Sequence, residues 1–272
     1  MNYFKRKVAI VTGAASGIGK AVAIELCKRG AHVIFTDRSE DQVKEACETA
    51  IKNGGHAEAI VLDVTDYEAT RQVIDNAVSV HGKIDFMFNN AGIAIAGEFR
   101  DVDLEGWHRL FEINLFGVVN GMKAVYPVMI EQGSGHIINT SALAGLIPLP
   151  GNSVYVAAKH ALVGLSSTVR IEGKDLGVKV SVVCPGHIKT PIFENADMIR
   201  LDKKKATEGI TQIPGITAEQ CARIVLKGVE KNKHIIVVTR FAKMMALFQR
   251  INTGLVHAIM GKVMRDFREN RK

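Results

Sequence analysis

Residues 7–19 read KVAIVTGAASGIG, and the architecture follows from how that stretch is parsed. Residues 7–12 are a short apolar run, the signature of a buried strand. Thr12-Gly13-Ala14-Ala15-Ser16-Gly17-Ile18-Gly19 then turns the chain, and residues 17–29 carry helical spacing up to Gly30, a residue that ends helices. Glycine permits a tight turn and a close approach to the backbone, and the first turn of a helix presents unpaired N–H groups. Gly13, Ser16, Gly17, Ile18 and Gly19 therefore form a candidate cradle for a pyrophosphate. The spacing is GxxxGxG rather than GxGxxG. The glycines alone would also suit a plain strand–helix turn; the flanking strand and helix favour the cradle.

The same alternation continues along the chain. Apolar runs at residues 32–36, 57–62, 85–89, 136–140, 179–184 and 234–238 read as further strands, and residues 40–52, 67–80, 104–131, 154–176 and 218–230 as helices. Apolar strands separated by helices predict a mostly parallel sheet covered on both faces. The expected fold is α/β: a single doubly wound domain of Rossmann type with about seven strands, over residues 1–240. Two segments break the pattern. Residues 187–214 are too long for an ordinary connection and are expected to form a substrate lid. Residues 241–272 read as an added amphipathic helix.

Composition is that of a globular chain, 47% hydrophobic and 23% charged over 272 residues. The four cysteines are scattered, with no CxxC pair, which argues against a metal or redox centre and fits buried thiols in a reducing compartment. The first seven residues lack signal-peptide character, and no uncharged apolar run approaches the ~20 residues of a spanning helix. A cytoplasmic location is expected, with contact at a membrane surface as an option. The formal charge is +7, but residues 240–272 hold eight basic and two acidic side chains, a net of +6, leaving +1 for the rest. The body has no nucleic-acid footprint.

Asp37 closes the second strand. A carboxylate there accepts hydrogen bonds from adenosine ribose hydroxyls and repels a 2′-phosphate, which favours NAD(H) over NADP(H). Arg38 pulls the other way, and Asp37 could also cap the next helix. Tyr155 and Lys159 are four apart on a predicted helix and share a face. A phenol with a pKa near 10 is a poor acid–base group at neutral pH, and a neighbouring ammonium is expected to lower that value. The pair then suits proton exchange with a carbinol oxygen.

Taken together, TGAASGIG (12–19), Asp63-Val64, Asn89-Asn90-Ala91-Gly92, Asn114, YVAAK (155–159) and PGHIKT (185–190) resemble the short-chain dehydrogenase/reductase family. The resemblance implies an oxidoreductase acting on CH–OH, with Tyr155 as general acid/base and Lys159 tuning it and binding the nicotinamide ribose. Asn114 would hold a water of the proton relay. Asp63 and Val64 would flank the adenine, and Asn90, Ala91 and Gly92 would line the middle of the cofactor. Ile188 and Thr190, beside Pro185 and Gly186, would meet the nicotinamide carboxamide. It also implies a homodimer or homotetramer.

One position departs from the pattern. The family's serine lies 13 residues before the tyrosine, and that position here is Ala142, with Ser141 one residue early. Three readings stay open: Ser141 turns inward, another polar group such as Ser153 substitutes, or the role is lost. Losing such a donor typically lowers rate about 10²–10³-fold.

The remaining features have plainer readings. His160 reads as a surface residue, Lys203-Lys204-Lys205 as a solvated run, and Trp107 and Phe111 as core or interface. In the tail, Phe241, Met244, Met245, Phe248, Ile251, Leu255, Ile259, Val263 and Phe267 recur at helical steps among basic residues. Docking on this domain or a partner, an anionic membrane surface, or loose order are all compatible with it. With Ile188, Ile192, Phe193, Met198 and Ile199 of the lid, it points to an apolar small-molecule substrate, steroid-, retinoid- or fatty-acyl-like. The sequence thus favours an NAD(H)-linked secondary-alcohol dehydrogenase. An NADP(H)-dependent carbonyl or 3-oxoacyl reductase and a dinucleotide-binding sensor or scaffold are the alternatives.

Overall fold

The computed structural model describes residues 3–269; expectations touching residues 1–2 and 270–272, Arg271 and Lys272 of the basic tail among them, lie outside the described residues. The chain runs β1 (Val8–Thr12), α1 (Gly17–Lys28), β2 (His32–Asp37), α2 (Glu40–Lys52), β3 (His56–Val61), α3 (Tyr67–His81), β4 (Phe86–Asn89) and a two-residue β5 (Ile95–Ala96). There follow α4 (Leu104–Phe111), a π-helical turn (Glu112–Phe116), α5 (Gly117–Glu131), β6 (Gly135–Thr140), α6 (Ser153–Glu172) and β7 (Val178–Pro185). Residues 187–214 contribute β8 (Ile188–Lys189), β9 (Asp197–Met198) and α7 (Lys203–Gln212). The chain ends with β10 (Ile216–Thr217), α8 (Ala218–Glu230), β11 (Ile235–Val238), α9 (Arg240–Ile251) and α10 (Thr253–Glu269).

Seven strands form one sheet in the order β11-β7-β6-β4-β1-β2-β3, every pair parallel. Alternate residues of β1 and β2 feed opposite faces. Ala9, Val11, Val33 and Phe35 pack under α1, α2 and α8, while Val8, Ile10 and Ile34 pack under α3, α5 and α6. Burying each of these larger side chains stabilises the fold by about 1.5–3 kcal/mol. Because β1 lies between β2 and β4, consecutive crossovers leave it in opposite directions, and a crevice opens beyond the strand ends at that point.

This segment is tied down by two short ladders, β5 with β9 and β8 with β10. Residues 104–131 form one continuous helical rod, as the sequence predicts, but five of its residues are π-helical. By length and composition that rod could cross a membrane. It packs on the sheet instead, burying Met122, Val125 and Met129.

The tail corrects the reading of a single helix. It breaks at Asn252, whose side chain accepts a hydrogen bond from the Leu255 N–H at 3.1 Å and so starts a new helix. The predicted stripe is also displaced. Met245, Val256 and Met260 are buried against Ile147, with Phe248 and Leu143, Leu146 and Leu149 around them. Phe241, Met244, Leu247, Ile251, Leu255, Ile259 and Val263 face outward, Ile251 at 73% exposure. Arg268 pins the far end by donating to both oxygens of buried Glu98, at 3.2 and 3.3 Å. Phe267 packs so closely on Gly151 that a Cβ there would lie 2.4 Å from the ring.

Candidate active site

A crevice of 1260 Å³ runs along the carboxyl ends of β1, β2, β4, β6 and β7. Gly13, Ser16, Gly17, Ile18, Asp37, Arg38, Asp63, Val64, Asn90, Ala91 and Gly92 line one part of it. Ser141, Tyr155, Lys159, Pro185, Gly186, Ile188 and Thr190 line the other. Gly19 and Asn114 stand behind the wall.

The glycine loop is built by steric necessity. Gly13 has φ +65°, and a Cβ on it would lie 2.8 Å from Ala91 Cα. A Cβ on Gly19 would lie 2.0 Å from the Gly13 carbonyl oxygen. Thr12 locks the loop to the neighbouring strand: its hydroxyl accepts from the Asn90 and Ala91 N–H groups at 2.9 and 3.1 Å. Asn90 answers by donating from Nδ2 to the Thr12 carbonyl at 3.2 Å. The Asn90 side chain is therefore engaged in holding the loop. Ser16, the N-cap of α1, is exposed and makes no capping bond, so the first turn of α1 faces the crevice with its N–H groups available. An open, positive helix end fits a pyrophosphate, and the Thr190 side chain stands close by, 3.3 Å from where a Cβ on Gly17 would lie.

Asp37 ends β2 and does not cap α2; Ser39 holds the cap position. Its carboxylate is oriented by the Ala15 N–H at 3.2 Å and the Ser39 N–H at 3.0 Å. That leaves acceptor capacity facing the crevice. Arg38 beside it is exposed. Asp63 is oriented similarly, accepting from Thr65 N–H and Oγ1 at 2.9 and 2.8 Å.

Tyr155 and Lys159 lie one turn apart on α6 and both face the crevice. Lys159 Nζ donates to the Thr140 carbonyl at 2.9 Å and sits 5.5 Å from the centre of the Tyr155 ring. Here the expectation of a lowered phenol pKa is corrected. Burial pushes Tyr155 up to about 12. Burial also pushes Lys159 down to about 8, against a weak opposing pull from Cys184. Desolvation disfavours the charged form of each group, the phenolate of Tyr155 and the ammonium of Lys159.

Asn114 is fully buried in the π turn. Its amide bonds the Ile93 backbone twice, with Oδ1 accepting from N–H and Nδ2 donating to C=O, each at 2.8 Å. A Cβ on Gly92 would come within 3.1 Å of Asn114 Oδ1 and 3.7 Å of Lys159 Nζ. Asn114, Gly92 and Lys159 thus converge on one spot.

Ser141 is buried, and its hydroxyl donates to the Lys159 carbonyl at 2.8 Å. It faces the backbone of α6, and Ala142, half-buried with extended backbone, shares the crevice wall with it. Ser153 has a buried hydroxyl without a partner among the described residues. It sits about 200° around α6 from Tyr155. Sequence reasoning passed over Thr140, whose carbonyl seats Lys159, and Arg109, Glu112 and Asn195, which also line the crevice. Thr140 adjoins the serine positions at the end of β6; the others carry no motif.

The chain is similar to known proteins of one family. Residues 7–199 match the family model described as short chain dehydrogenase. The chain is 37% identical over 204 residues to cyclohexanol dehydrogenase of Acinetobacter sp. (strain SE19), covering 74% of this chain and 81% of the relative. It is 37% identical over 194 residues to 2,5-dichloro-2,5-cyclohexadiene-1,4-diol dehydrogenase LinX of Sphingobium indicum, covering 71% and 78%. A crystal structure of a short chain dehydrogenase/reductase from Burkholderia phymatum in complex with NAD superposes with a TM-score of 0.86. That protein is 25% identical, over 94% of this chain and 96% of the other.

Proposed function

The chain belongs to the short-chain dehydrogenase family, and from that premise we propose that it interconverts an apolar secondary alcohol and its ketone with NAD(H) as hydride carrier. It is an oxidoreductase acting on CH–OH that uses a nicotinamide dinucleotide and a small-molecule substrate. The observation that carries the NAD(H) preference is Asp37, an oriented carboxylate on the crevice wall at the end of β2. It suits a pair of ribose hydroxyls and repels a phosphate. Arg38 is the one feature that favours the second reading, an NADP(H)-dependent carbonyl reductase.

The bound dinucleotide supplies the ring that accepts or returns the hydride. Tyr155 handles the proton of the carbinol oxygen, taking it up in oxidation and returning it in reduction. Lys159, held by Thr140, is largely charged at neutral pH and stands one helical turn from Tyr155, where its ammonium would offset part of the burial cost of a phenolate. Asn114 fixes the wall behind Gly92 and holds the inner end of the proton relay. Ser141 acts as a positioning residue through the Lys159 carbonyl.

Ile93, Ile113, Ile188, Ile192 and Phe193 give the crevice an apolar surface beside the polar Arg109, Glu112 and Asn195. With relatives named for cyclohexanol and a cyclohexadienediol, an alicyclic secondary alcohol is the substrate class we favour. Steady-state assays of alicyclic and open-chain secondary alcohols with NAD⁺ test this. The expected result is turnover of an alicyclic alcohol that Tyr155→Phe lowers by about 10²-fold or more. No dinucleotide-linked turnover of any such alcohol, in protein that binds the dinucleotide, would overturn the reading in favour of a sensor.

The four buried free thiols suit a cytoplasmic location. Exposed Leu104 and Phe116 on the α4–α5 rod, with Phe99 in the turn before it, support a homodimer or homotetramer. The exposed apolar face of α9 and α10, flanked by Arg240, Lys243, Arg250, Lys262 and Arg265, suits peripheral contact with an anionic membrane.

A further inference from the structure

At the end of the sheet opposite the crevice, three metal-ligating side chains from three elements meet. His32 opens β2, Glu58 is the third residue of β3, and His81 ends α3. Asp37, at the crevice end of β2, is five residues from His32, about 17 Å along an extended strand. The two imidazoles approach one carboxylate oxygen: His32 Nε2 is 3.2 Å and His81 Nε2 is 3.0 Å from Glu58 Oε1. All three ligand atoms lie within 4.8 Å of one another, and all three residues are half-buried. The imidazole rings are 4.2 Å apart, centre to centre.

We propose that His32, Glu58 and His81 bind a divalent transition-metal ion, with zinc as the reference ion, that clips the end of α3 to the edge of the sheet. Two imidazoles and a carboxylate with water in the open position form an ordinary zinc donor set. Ligand atoms about 2.0–2.2 Å from a tetrahedral zinc lie about 3.3–3.5 Å apart, so the two measured contacts need to open by only a few tenths of an ångström. A second feature favours a cation here. His81 is the last residue of α3, and Gly82 closes the helix in a left-handed conformation at φ 75°. The partial negative charge of that helix end falls on this site. His56 is the register partner of His32 on β3, one strand spacing away on the same face.

The test is isothermal titration of the full-length, tag-free chain with zinc chloride, followed by cobalt substitution. One ion per chain is expected, with affinity falling about tenfold or more in His81→Gln and in His32→Gln. A zinc-dependent rise in melting temperature is expected to disappear in the same variants. Cobalt is expected to give visible ligand-field absorption without a thiolate charge-transfer band. Absent zinc binding, binding unchanged in the double variant, or a thiolate band marking a cysteine site would each overturn the proposal. Both variants are first compared with wild type by metal-free melting, so that misfolding is not scored as lost ligation. These readouts do not involve turnover, so their failure leaves the dehydrogenase reading standing.

Discussion

Ala142 has the backbone and the place of a hydroxyl donor but lacks the hydroxyl. The neighbouring Ser141 donates its own to the Lys159 carbonyl, and in the proposed function Tyr155 is the donor to a substrate oxygen. Installing the missing group gives a direct prediction. Ala142→Ser is expected to raise kcat in ketone reduction by about tenfold or more, since such donors are typically worth 10²–10³-fold when native. A loss of activity instead would show that another group already polarises the carbonyl. Tyr155 and Lys159 were legible in the sequence because a four-residue step on a helix fixes their shared face. The direction of Ser141 was not, because it depends on a carbonyl 18 residues away. Nor was the effect of burial on Tyr155, which requires knowing how much solvent the fold excludes.

The seven main strands and their covering helices could be read from apolar runs and their terminators, since a doubly covered parallel sheet makes every strand apolar. Four two-residue strands escaped because so short a ladder has no periodicity. The π turn at residues 112–116 escaped because its apolar spacing differs little from that of an α-helix. The break at Asn252 escaped because the apolar stripe continues through it. His136 on β6 and Ser181 on β7 carry a prediction of their own. His136 Nε2 is 2.8 Å from Ser181 Oγ, deep between the strands. Burial first, then the charges of Lys179 and Arg170, lowers its pKa from 6.5 to about 3. As pH falls below about 6.5 the unfolded chain takes up a proton that the folded chain refuses, so stability is lost progressively towards pH 3. Urea unfolding at pH 7.5 and 4.5 should show a loss of about 1–3 kcal/mol that His136→Gln reduces. A slope unchanged by the substitution would assign the acid sensitivity elsewhere.

Charge is divided unevenly over the molecule, with a nearly neutral body and a basic tail. α9 and α10 cover the 143–149 segment with Met245, Val256 and Met260 and turn a second apolar face outward. If that face rests on an anionic membrane, the chain should sediment with vesicles containing phosphatidylserine and much less with phosphatidylcholine alone. Leu247→Ser with Ile251→Ser should release it without lowering turnover of a water-soluble alcohol. Failure to sediment, together with dissociation of an oligomer by the same substitutions, would assign the face to a second copy. The dinucleotide preference is the part of the reading that rests on the fewest atoms. Titrating NADH and NADPH against wild type and Asp37→Ala, by fluorescence of the single tryptophan, tests it. NADH is expected to bind at least tenfold tighter to wild type, about 1.4 kcal/mol, with the gap closing in the variant. Equal or tighter binding of NADPH to wild type would contradict the reading of Asp37 and transfer the adenosine end of the site to Arg38.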